Sequence, residues 1–287
     1  FRHLIVALVF VLIFGLTISN IRLSVINKNY KTQILETQSN IVLTQAESAE
    51  GGRQNDLSFE YQKLYPDLYV KLPEKTQSEQ NTVYLTFDDG PSDRTEEVLD
   101  ILKTEDIKAT FFILGKDGDK RKELLKRMAE EGHAVGIHTY THVYSDIYAS
   151  VESYLDDFYK TYRLIYETTG VKPDIFRFPG GSINKYDMLD YEEIIAETTR
   201  RGFTYYDWNA SSGDANSKAT ADSVYRNTIQ TSEGKSRIIL LMHDSSGKSC
   251  TVAALSEIIE YYRAMGFEFK RITNDVSPIT FNYIFDE

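Results

Sequence analysis

The sequence has little material for several common kinds of site. It has one cysteine, Cys250, which excludes an internal disulfide framework and a zinc site built from thiolates. Lys and Arg number 32 against 43 Asp and Glu, and this acidic balance argues against a nucleic-acid-binding protein. Neither a G-x-G-x-x-G nor a P-loop pattern occurs, so nothing indicates a nucleotide cofactor. A metal site in this chain must therefore use His, Asp or Glu.

One long apolar run lies near the first residue. Residues 4–18 are almost continuously apolar and follow Arg2 and His3. The run is shorter than the roughly 20 residues that span a bilayer, and no clear cleavage site follows it. We predict an uncleaved membrane anchor over residues 1–20, with a cleaved signal peptide as the alternative. Both place the remainder outside the cytoplasm, anchored on the wall side of the membrane or secreted.

Composition divides the rest of the chain into four segments. Residues 21–56 are polar with scattered aliphatic side chains, and they predict a stalk or linker. Residues 57–80 contain several aromatic side chains, which disordered tethers lack, so we expect a lead-in packed on the domain. Residues 81–272 carry an alternating pattern that predicts the main domain. Residues 273–287 are left as a C-terminal tail.

The main domain is predicted to be α/β. Strand-like runs cover residues 83–87, 109–114, 134–138, 175–178, 203–206, 237–242 and 267–270. Helical patterns lie between them, and the clearest is 150–169, where apolar residues recur at spacings of three and four. This alternation predicts a parallel sheet. About seven parallel strands favour a distorted (β/α) barrel, with an open doubly wound sheet as the alternative.

Two adjacent carboxylates, Asp88 and Asp89, follow the first predicted strand, and Gly90 and Pro91 then turn the chain. Neighbouring like charges repel each other, and each loses hydration near a core. A cation or a catalytic task would explain the pair. The simpler alternative is that both acids cap a turn before the next helix.

Other strand ends also carry titratable side chains. In β/α barrels, the chemistry gathers where the strands end. The third predicted strand ends at His138, and His142 follows four residues later, a spacing that brings both imidazoles to one face of a helical turn. An aspartate from the first strand would complete a two-His, one-carboxylate metal site. Arg177 lies in the fourth strand, and His243 follows the sixth.

These residues stand in five ordered segments that resemble the motifs of polysaccharide deacetylases of the NodB-homology type, carbohydrate esterase family 4. The segments are T-F-D-D-G at 86–90, H-T-Y-T-H at 138–142, R-F-P-G-G at 177–181, W-N-A-S-S-G-D-A at 208–215 and L-M-H at 241–243. The resemblance covers roughly residues 82–271. With the predicted anchor, the chain resembles the membrane-anchored peptidoglycan N-acetylglucosamine deacetylases.

The resemblance implies one divalent metal ion on Asp89, His138 and His142. Zinc is the first expectation, and cobalt, manganese and nickel are alternatives because such a ligand set accepts them all. The resemblance also implies that Asp88 is the catalytic base. The alternative for Asp88 is a second metal ligand.

The same resemblance implies roles for five further residues. His243 is expected to be the general acid, and Arg177 to orient the base. Asp214 is expected to hold Arg177. The backbone N–H of Gly180 is expected to help form the oxyanion hole, and Leu241 to line the acetyl pocket.

The fourth segment departs from the family pattern. Ser211 stands in place of an acid and Ala215 in place of a tryptophan, which alters the expected wall of the substrate groove. Trp208 is expected either to line that groove or to pack. Three other titratable residues near these segments are expected to be structural: His133, Asp207 and Asp244.

The implied reaction is hydrolysis of N-acetyl groups on a cell-surface polysaccharide, with release of acetate. Peptidoglycan N-acetylglucosamine is the first expectation because an anchor would hold the domain at the wall. Chitin oligosaccharides, an exopolysaccharide and acetylxylan are alternatives. A non-catalytic glycan-binding domain is the competing class, and the intact acid and base argue against it.

Overall fold

Strands and helices alternate along the part of the chain that the computed structural model describes, residues 59–72, 78–184 and 191–281. The strands are β1 (Thr82–Asp88), β2 (Thr110–Leu114), β3 (Ala134–Thr139), β4 (Ile175–Phe176), β5 (Thr204–Tyr205), β6 (Ala210–Ser211), β7 (Arg237–His243) and β8 (Glu268–Phe269). The helices are α1 (Asp93–Thr104), α2 (Asp119–Glu130), α3 (Tyr144–Ile147), α4 (Val151–Thr169), α5 (Tyr191–Arg200), α6 (Ala221–Ser232) and α7 (Ser249–Ala264). A 3₁₀ turn covers Glu60–Lys63. The predicted alternation is confirmed, while β6 and α3 were not predicted.

All recorded strand pairs are parallel. The strand order is β5-β4-β3-β2-β1-β7-β6. β8 pairs with the first two residues of β1, and β2 pairs with its last three residues. No pairing joins β5 to β6 among the described residues. The predicted distorted (β/α) barrel is therefore confirmed as a curled parallel sheet that is not closed by strand pairing.

The strand β1 separates two apolar cores. Val83, Leu85 and Phe87 belong to a large cluster shared with the surrounding helices. Tyr84 belongs to a smaller cluster that also contains side chains of β2, β4 and β7, and these strands can meet only if the sheet curls around them. Successive strand residues point to opposite faces. Asp88 therefore shares the inner face with Tyr84.

Side-chain caps fix where the longer helices begin. The Ser92 hydroxyl accepts a hydrogen bond from the Arg94 backbone nitrogen at the start of α1. The Ser150 hydroxyl does the same for Ser153 at the start of α4. Gly170 ends α4 in the left-handed conformation, with φ of 75°. The helix predicted over 150–169 is thus confirmed within one residue.

The predicted lead-in lies against α5. Arg201 is fully buried, and it donates hydrogen bonds to the Glu197 carboxylate at 2.7 Å and to the carbonyls of Tyr65 and Tyr61 at 3.1 and 3.2 Å. Gly202 approaches the same segment so closely that a Cβ there would lie 1.9 Å from the Val70 carbonyl oxygen. The hydrogen bonds of a buried arginine, whose charge Glu197 balances, therefore tie residues 59–72 to the barrel.

Residues 273–281 fill the barrel beside β4 and β5. Val276 is buried in the inner cluster. The Tyr206 hydroxyl contacts the carbonyls of Thr273 and Val276 at 3.0 and 2.7 Å. The Asp207 nitrogen donates to the carbonyl of Ile279 at 2.8 Å. The described part of the segment set apart as a tail is thus integral to the inner core.

The predicted anchor, residues 1–20, and the predicted stalk, residues 21–56, lie outside the described residues. Both remain predictions. Within the described ranges, no helix combines the length and the hydrophobicity needed to cross a membrane.

Candidate active site

Two neighbouring acids face one site because the chain turns between them. Asp88 ends β1 on its inner face and is 3% exposed. Asp89 follows with φ of 73°, a left-handed conformation that is uncommon outside glycine. This conformation breaks the alternation of the strand, so both carboxylates serve the same mouth of the barrel. Backbone strain of this kind is concentrated at functional sites.

Three side chains converge as a candidate metal site. One carboxylate oxygen of Asp89, Oδ1, lies 3.5 Å from His138 Nε2 and 3.4 Å from His142 Nε2. The ligand atoms of the three residues all lie within 4.8 Å of one another. Asp89 Oδ1 is buried and accepts no hydrogen bond. Buried polar atoms rarely stay unpartnered, so the donors fit a divalent cation, and nitrogen with carboxylate oxygen suits zinc.

The imidazoles present the correct nitrogen atoms. His138 Nδ1 lies 2.8 Å from the carbonyl oxygen of Arg177 and must donate to it, which leaves Nε2 as a bare lone pair. Burial, together with the nearby His138, lowers the pKa of His142. A neutral imidazole is the form that binds metals.

The two histidines do not share a helical turn, so that prediction is wrong. His138 belongs to β3, and His142 lies in the following loop with φ of 59°. Asp157 of α4 holds this loop, since it accepts hydrogen bonds from the backbone nitrogens of Tyr140 and Thr141 and from the Thr141 hydroxyl. Sequence reasoning missed Asp157. An acid on the otherwise apolar stripe of α4 was the available signal.

Arg177 fixes the direction of Asp88. Its Nη1 donates to Asp88 Oδ1 at 2.9 Å and to the Thr86 hydroxyl at 2.7 Å. Nε and Nη2 donate to the carbonyls of Tyr206 and Asp207 at 2.8 and 3.1 Å. Both partners are buried. An unpaired buried guanidinium is costly, so this ion pair holds the Asp88 carboxylate in place.

Asp214 does not hold Arg177, so that prediction is wrong. Asp214 Oδ1 lies 2.7 Å from His243 Nδ1, and its Oδ2 accepts from the His243 nitrogen and the Thr251 hydroxyl, both at 2.7 Å. The physical reason is the strand order. β4 lies on one side of β1, and β7 with β6 lies on the other, so Asp214, which follows β6, reaches His243 instead.

The contact with Asp214 keeps His243 protonated. Burial lowers the pKa of His243, but the hydrogen bond and charge of Asp214, with the charges of Asp88 and Asp89, raise it to about 9. Burial likewise opposes ionisation of Asp214, and the hydrogen bonds from His243 and Thr251 still hold its pKa below the usual range. In the strand register, His243 is the direct neighbour of Asp88. The Asp88 carboxyl group and the His243 imidazole therefore stand side by side.

Gly180, Leu241 and Trp208 are the residues predicted to contact substrate. Each lies close in sequence to a residue of the site described above. Gly180 is exposed with φ of 77°, and its N–H has no acceptor among the described residues. Leu241 is the register partner of Thr86 and shares a strand face with His243. Trp208 packs edge-on against Phe281, and the Arg177 guanidinium lies 5.6 Å from its ring.

Two more buried titratable side chains accept hydrogen bonds from backbone nitrogens. His133 Nδ1 accepts from the Ala109 nitrogen at 3.0 Å, and burial lowers its pKa to about 4. The Asp207 carboxylate accepts from the backbone nitrogens of Ser182 and Phe281 at 2.8 and 2.7 Å. These contacts match the structural roles predicted for His133 and Asp207.

Asp244 is the third carboxyl group near the twin acids. It is fully buried, the Thr95 hydroxyl donates to its Oδ2, and its Oδ1 has no hydrogen-bond partner. A Cβ on Gly90 would lie 2.2 Å from Oδ2, so only glycine fits there. Burial, and then the charges of Asp89 and Asp88, raise the pKa of Asp244 to about 7.

A groove of about 440 Å³ lies beside the candidate metal site. Asp89 and His142 form part of its wall. Its other lining residues are Ser92, Leu114, Lys116, Arg121, Thr141, Ser245 and Ser246.

Comparison with known proteins identifies the family. A family model described as polysaccharide deacetylase matches residues 75–194. A peptidoglycan-N-acetylglucosamine deacetylase of Bacillus cereus is 34% identical over 197 residues, which cover 67% of this chain and 69% of that protein. The chain belongs to the polysaccharide deacetylase family. This carbohydrate esterase family 4 enzyme is therefore a hydrolase, and the predicted family and enzyme class are confirmed.

Two further matches extend over most of the deacetylase. YheN of Bacillus subtilis (strain 168) is 35% identical over 219 residues, which cover 75% of each chain. The solved catalytic domain of peptidoglycan N-acetylglucosamine deacetylase from Eubacterium rectale has a TM-score of 0.68 and 33% identity. That match covers 76% of this chain and 99% of the solved one.

Proposed function

We propose that this polysaccharide deacetylase hydrolyses the N-acetyl group of N-acetylglucosamine in peptidoglycan. The observation that carries the proposal is the pairing of Asp88 with His243 on adjacent strands. Arg177 fixes the first and Asp214 the second. A base beside an acid is the equipment that amide hydrolysis needs, since one proton must leave water and another must reach nitrogen.

In this proposal Asp89, His138 and His142 hold one divalent ion, with zinc as the first choice and cobalt, manganese or nickel as alternatives. When bound, such an ion polarises a carbonyl group and lowers the pKa of water. The unpartnered Asp89 oxygen and the two bare imidazole nitrogens support this assignment.

Asp88 accepts a proton from the water that attacks the acetyl carbonyl carbon. Its ion pair with Arg177 engages Oδ1 and leaves the other carboxylate oxygen, Oδ2, for the water. The alternative role, a second metal ligand, is disfavoured because the convergent set contains Asp89 and the two histidines. The new carbon–oxygen bond places negative charge on the carbonyl oxygen. The Gly180 N–H is the proposed donor to that oxygen.

His243 protonates the departing nitrogen. Its Nδ1 is held by Asp214, so Nε2 carries the proton that is transferred. The carbon–nitrogen bond then breaks, and the products are acetate and a free sugar amine. Asp214 acts through His243 and is a positioning residue. Leu241 and Trp208 are proposed to bound the acetyl pocket and the groove.

The substrate assignment draws on the named relatives. Those from Bacillus cereus and Eubacterium rectale are described as peptidoglycan N-acetylglucosamine deacetylases. We place the reaction outside the cytoplasmic membrane, at the wall, with residues 1–20 as the anchor. Chitin oligosaccharides, exopolysaccharide and acetylxylan are the alternative substrates. A glycan-binding domain without catalysis would have no use for the acid opposite the base.

Acetate release from purified peptidoglycan, with mass spectrometry of the glycan before and after, tests the proposal. We expect acetyl loss that chelation abolishes and added zinc restores. Asp88→Asn should abolish turnover and retain zinc binding. Activity that survives complete metal removal would contradict the mechanism, and full turnover by Asp88→Asn would show that another group is the base.

A further inference from the structure

Two cations in the groove beside the metal site have no acidic partner. Lys116 is exposed, and Arg121 is half-buried. Arg121 Nη1 is buried without a hydrogen-bond partner. In the described part of the chain, neither side chain forms an ion pair. The groove therefore contains two cations that no ion pair within this part of the chain engages.

The neighbouring cations behave differently. Lys120 pairs with Glu96 at 2.7 Å, and Lys122 pairs with Asp117 at 2.7 Å. The chain as a whole has a net charge of −11, so acidic partners are plentiful. Against that background, a buried arginine nitrogen without an acceptor is an open binding position, because an unmade hydrogen bond to a charged donor is costly.

The location of these cations connects them to the reaction. Lys116 and Arg121 line the same groove as Asp89 and His142. A sugar whose acetyl group lies at the metal site therefore places a neighbouring part of the glycan along this wall. Hydroxyl groups of Ser245 and Ser246 also line the groove. Such groups add hydrogen bonds, and the guanidinium fork matches a carboxylate in charge and geometry.

We propose that Lys116 and Arg121 form a subsite for a carboxylate on a sugar next to the one that is deacetylated. The inference rests on the proposed function and narrows its substrate class to an anionic glycan. A peptidoglycan strand has this chemistry where the lactyl groups on its alternate sugars carry no peptide stem and are free carboxylates. Uncharged chitin and xylan do not.

Three tetrasaccharides test the subsite with the zinc-loaded enzyme. The first alternates N-acetylglucosamine with N-acetylmuramic acid and has free lactyl carboxylates. The second is its methyl ester, and the third is uncharged chitotetraose. We expect a KM for the free acid roughly tenfold below that for the ester, the size of a charge-assisted hydrogen bond. This wild-type comparison requires no variant.

The double variant Lys116→Gln/Arg121→Gln should bring the ratio of the two KM values close to one. Lys120→Gln/Lys122→Gln is the matched control, since it removes the same charge from paired side chains. The control should keep the wild-type ratio. Raising the salt concentration should reduce the preference for the acid in wild type, because it screens exposed charges.

The outcomes separate the two proposals. If wild type deacetylates the acid, the ester and chitotetraose with equal KM, the subsite is overturned while the proposed function stands. Equal loss of preference in the test and control variants overturns the subsite as well. If no acetate is released from any of the three glycans, the proposed function fails, and the subsite fails with it.

Discussion

Replacing Asp214 by Asn is expected to shift the alkaline limb of the pH–activity profile to lower pH. Asp214 accepts two hydrogen bonds of 2.7 Å from His243, one from the ring and one from the backbone. Burial lowers the pKa of His243, and the carboxylate outweighs burial and raises that pKa to about 9. The amide can still accept from Nδ1, but it carries no charge to stabilise an imidazolium.

The structure sets the size of the effect. A pKa of about 9 for His243 corresponds to about 3 kcal/mol in favour of the imidazolium, relative to an ordinary histidine. Without the carboxylate, burial still lowers the pKa of His243 and the charges of Asp88 and Asp89 still raise it, so we expect a value of about 6.5, that of an ordinary histidine. At pH 8 the protonated fraction then drops from roughly 90% to roughly 3%, so kcat/KM should fall about thirtyfold. At pH 6 the two enzymes should differ less than about twofold.

The assay is the pH dependence of kcat/KM for acetate release, together with titration of His243 followed by NMR. Thr251→Val is the control, because it removes one hydrogen bond of 2.7 Å from Asp214 but keeps the carboxylate charge. Its alkaline limb should stay close to that of wild type. If Asp214→Asn loses activity at the same alkaline pH as wild type, deprotonation of His243 is not what causes that loss. The role of His243 as the general acid would then be wrong.

Three other changes test the supports of the site and fold. Because burial raises the pKa of Asp244 to about 7, the folded protein binds its proton more tightly, and the free energy of unfolding should fall as pH rises from about 4 to about 7. Asp244→Asn should lack that part of the slope in urea titrations at pH 5 and 8, and an identical slope would contradict the reasoning. Asp157→Ala removes three hydrogen bonds from the loop between the metal ligands. Zinc affinity, measured by competition titration, should therefore weaken roughly ten- to a hundredfold. Unchanged affinity would show that the loop keeps its conformation without Asp157. Gly202→Ala places a Cβ 1.9 Å from the Val70 carbonyl oxygen and should lower thermal stability well beyond Gly234→Ala, which has positive φ and nothing within 4 Å and should cost about 1 kcal/mol. Equal melting temperatures for these two variants would mean that residues 59–72 move away from the new Cβ with no loss of stability.

The longer elements were predictable because their signals are local. β1 is buried along its whole length and shows an unbroken apolar and β-branched run before the twin acids. α4 has an apolar stripe, a serine cap and a terminal glycine. β6 was missed because Ala210–Ser211 has no such run, and it exists as a strand only through its pairing with β7. No pattern in the neighbouring sequence indicates that pairing.

Within the site, the residue types were predictable and their partners were not. Asp88, Asp89 and His138 stand at strand ends that the sequence marks, and His142 lies in the loop that follows β3. The partner of Asp214 depends on the order of strands in the sheet, which no local pattern specifies. The bond from Asp157 to the histidine loop likewise depends on how α4 packs against β3. Sequence therefore indicated the chemistry better than the connections that hold it.

The strand β1 pairs with β2 from early in the domain and with β7 and β8 from late in it. During synthesis, Asp88 therefore leaves the ribosome long before His243 does. The inner core is complete only after Val276 has also been released. Such distant contacts make folding slow. A nascent or proteolytically shortened chain that lacks the late strands has the proposed base, Asp88, without the proposed acid, His243. Under the proposed mechanism, only the finished domain can therefore begin to modify its substrate.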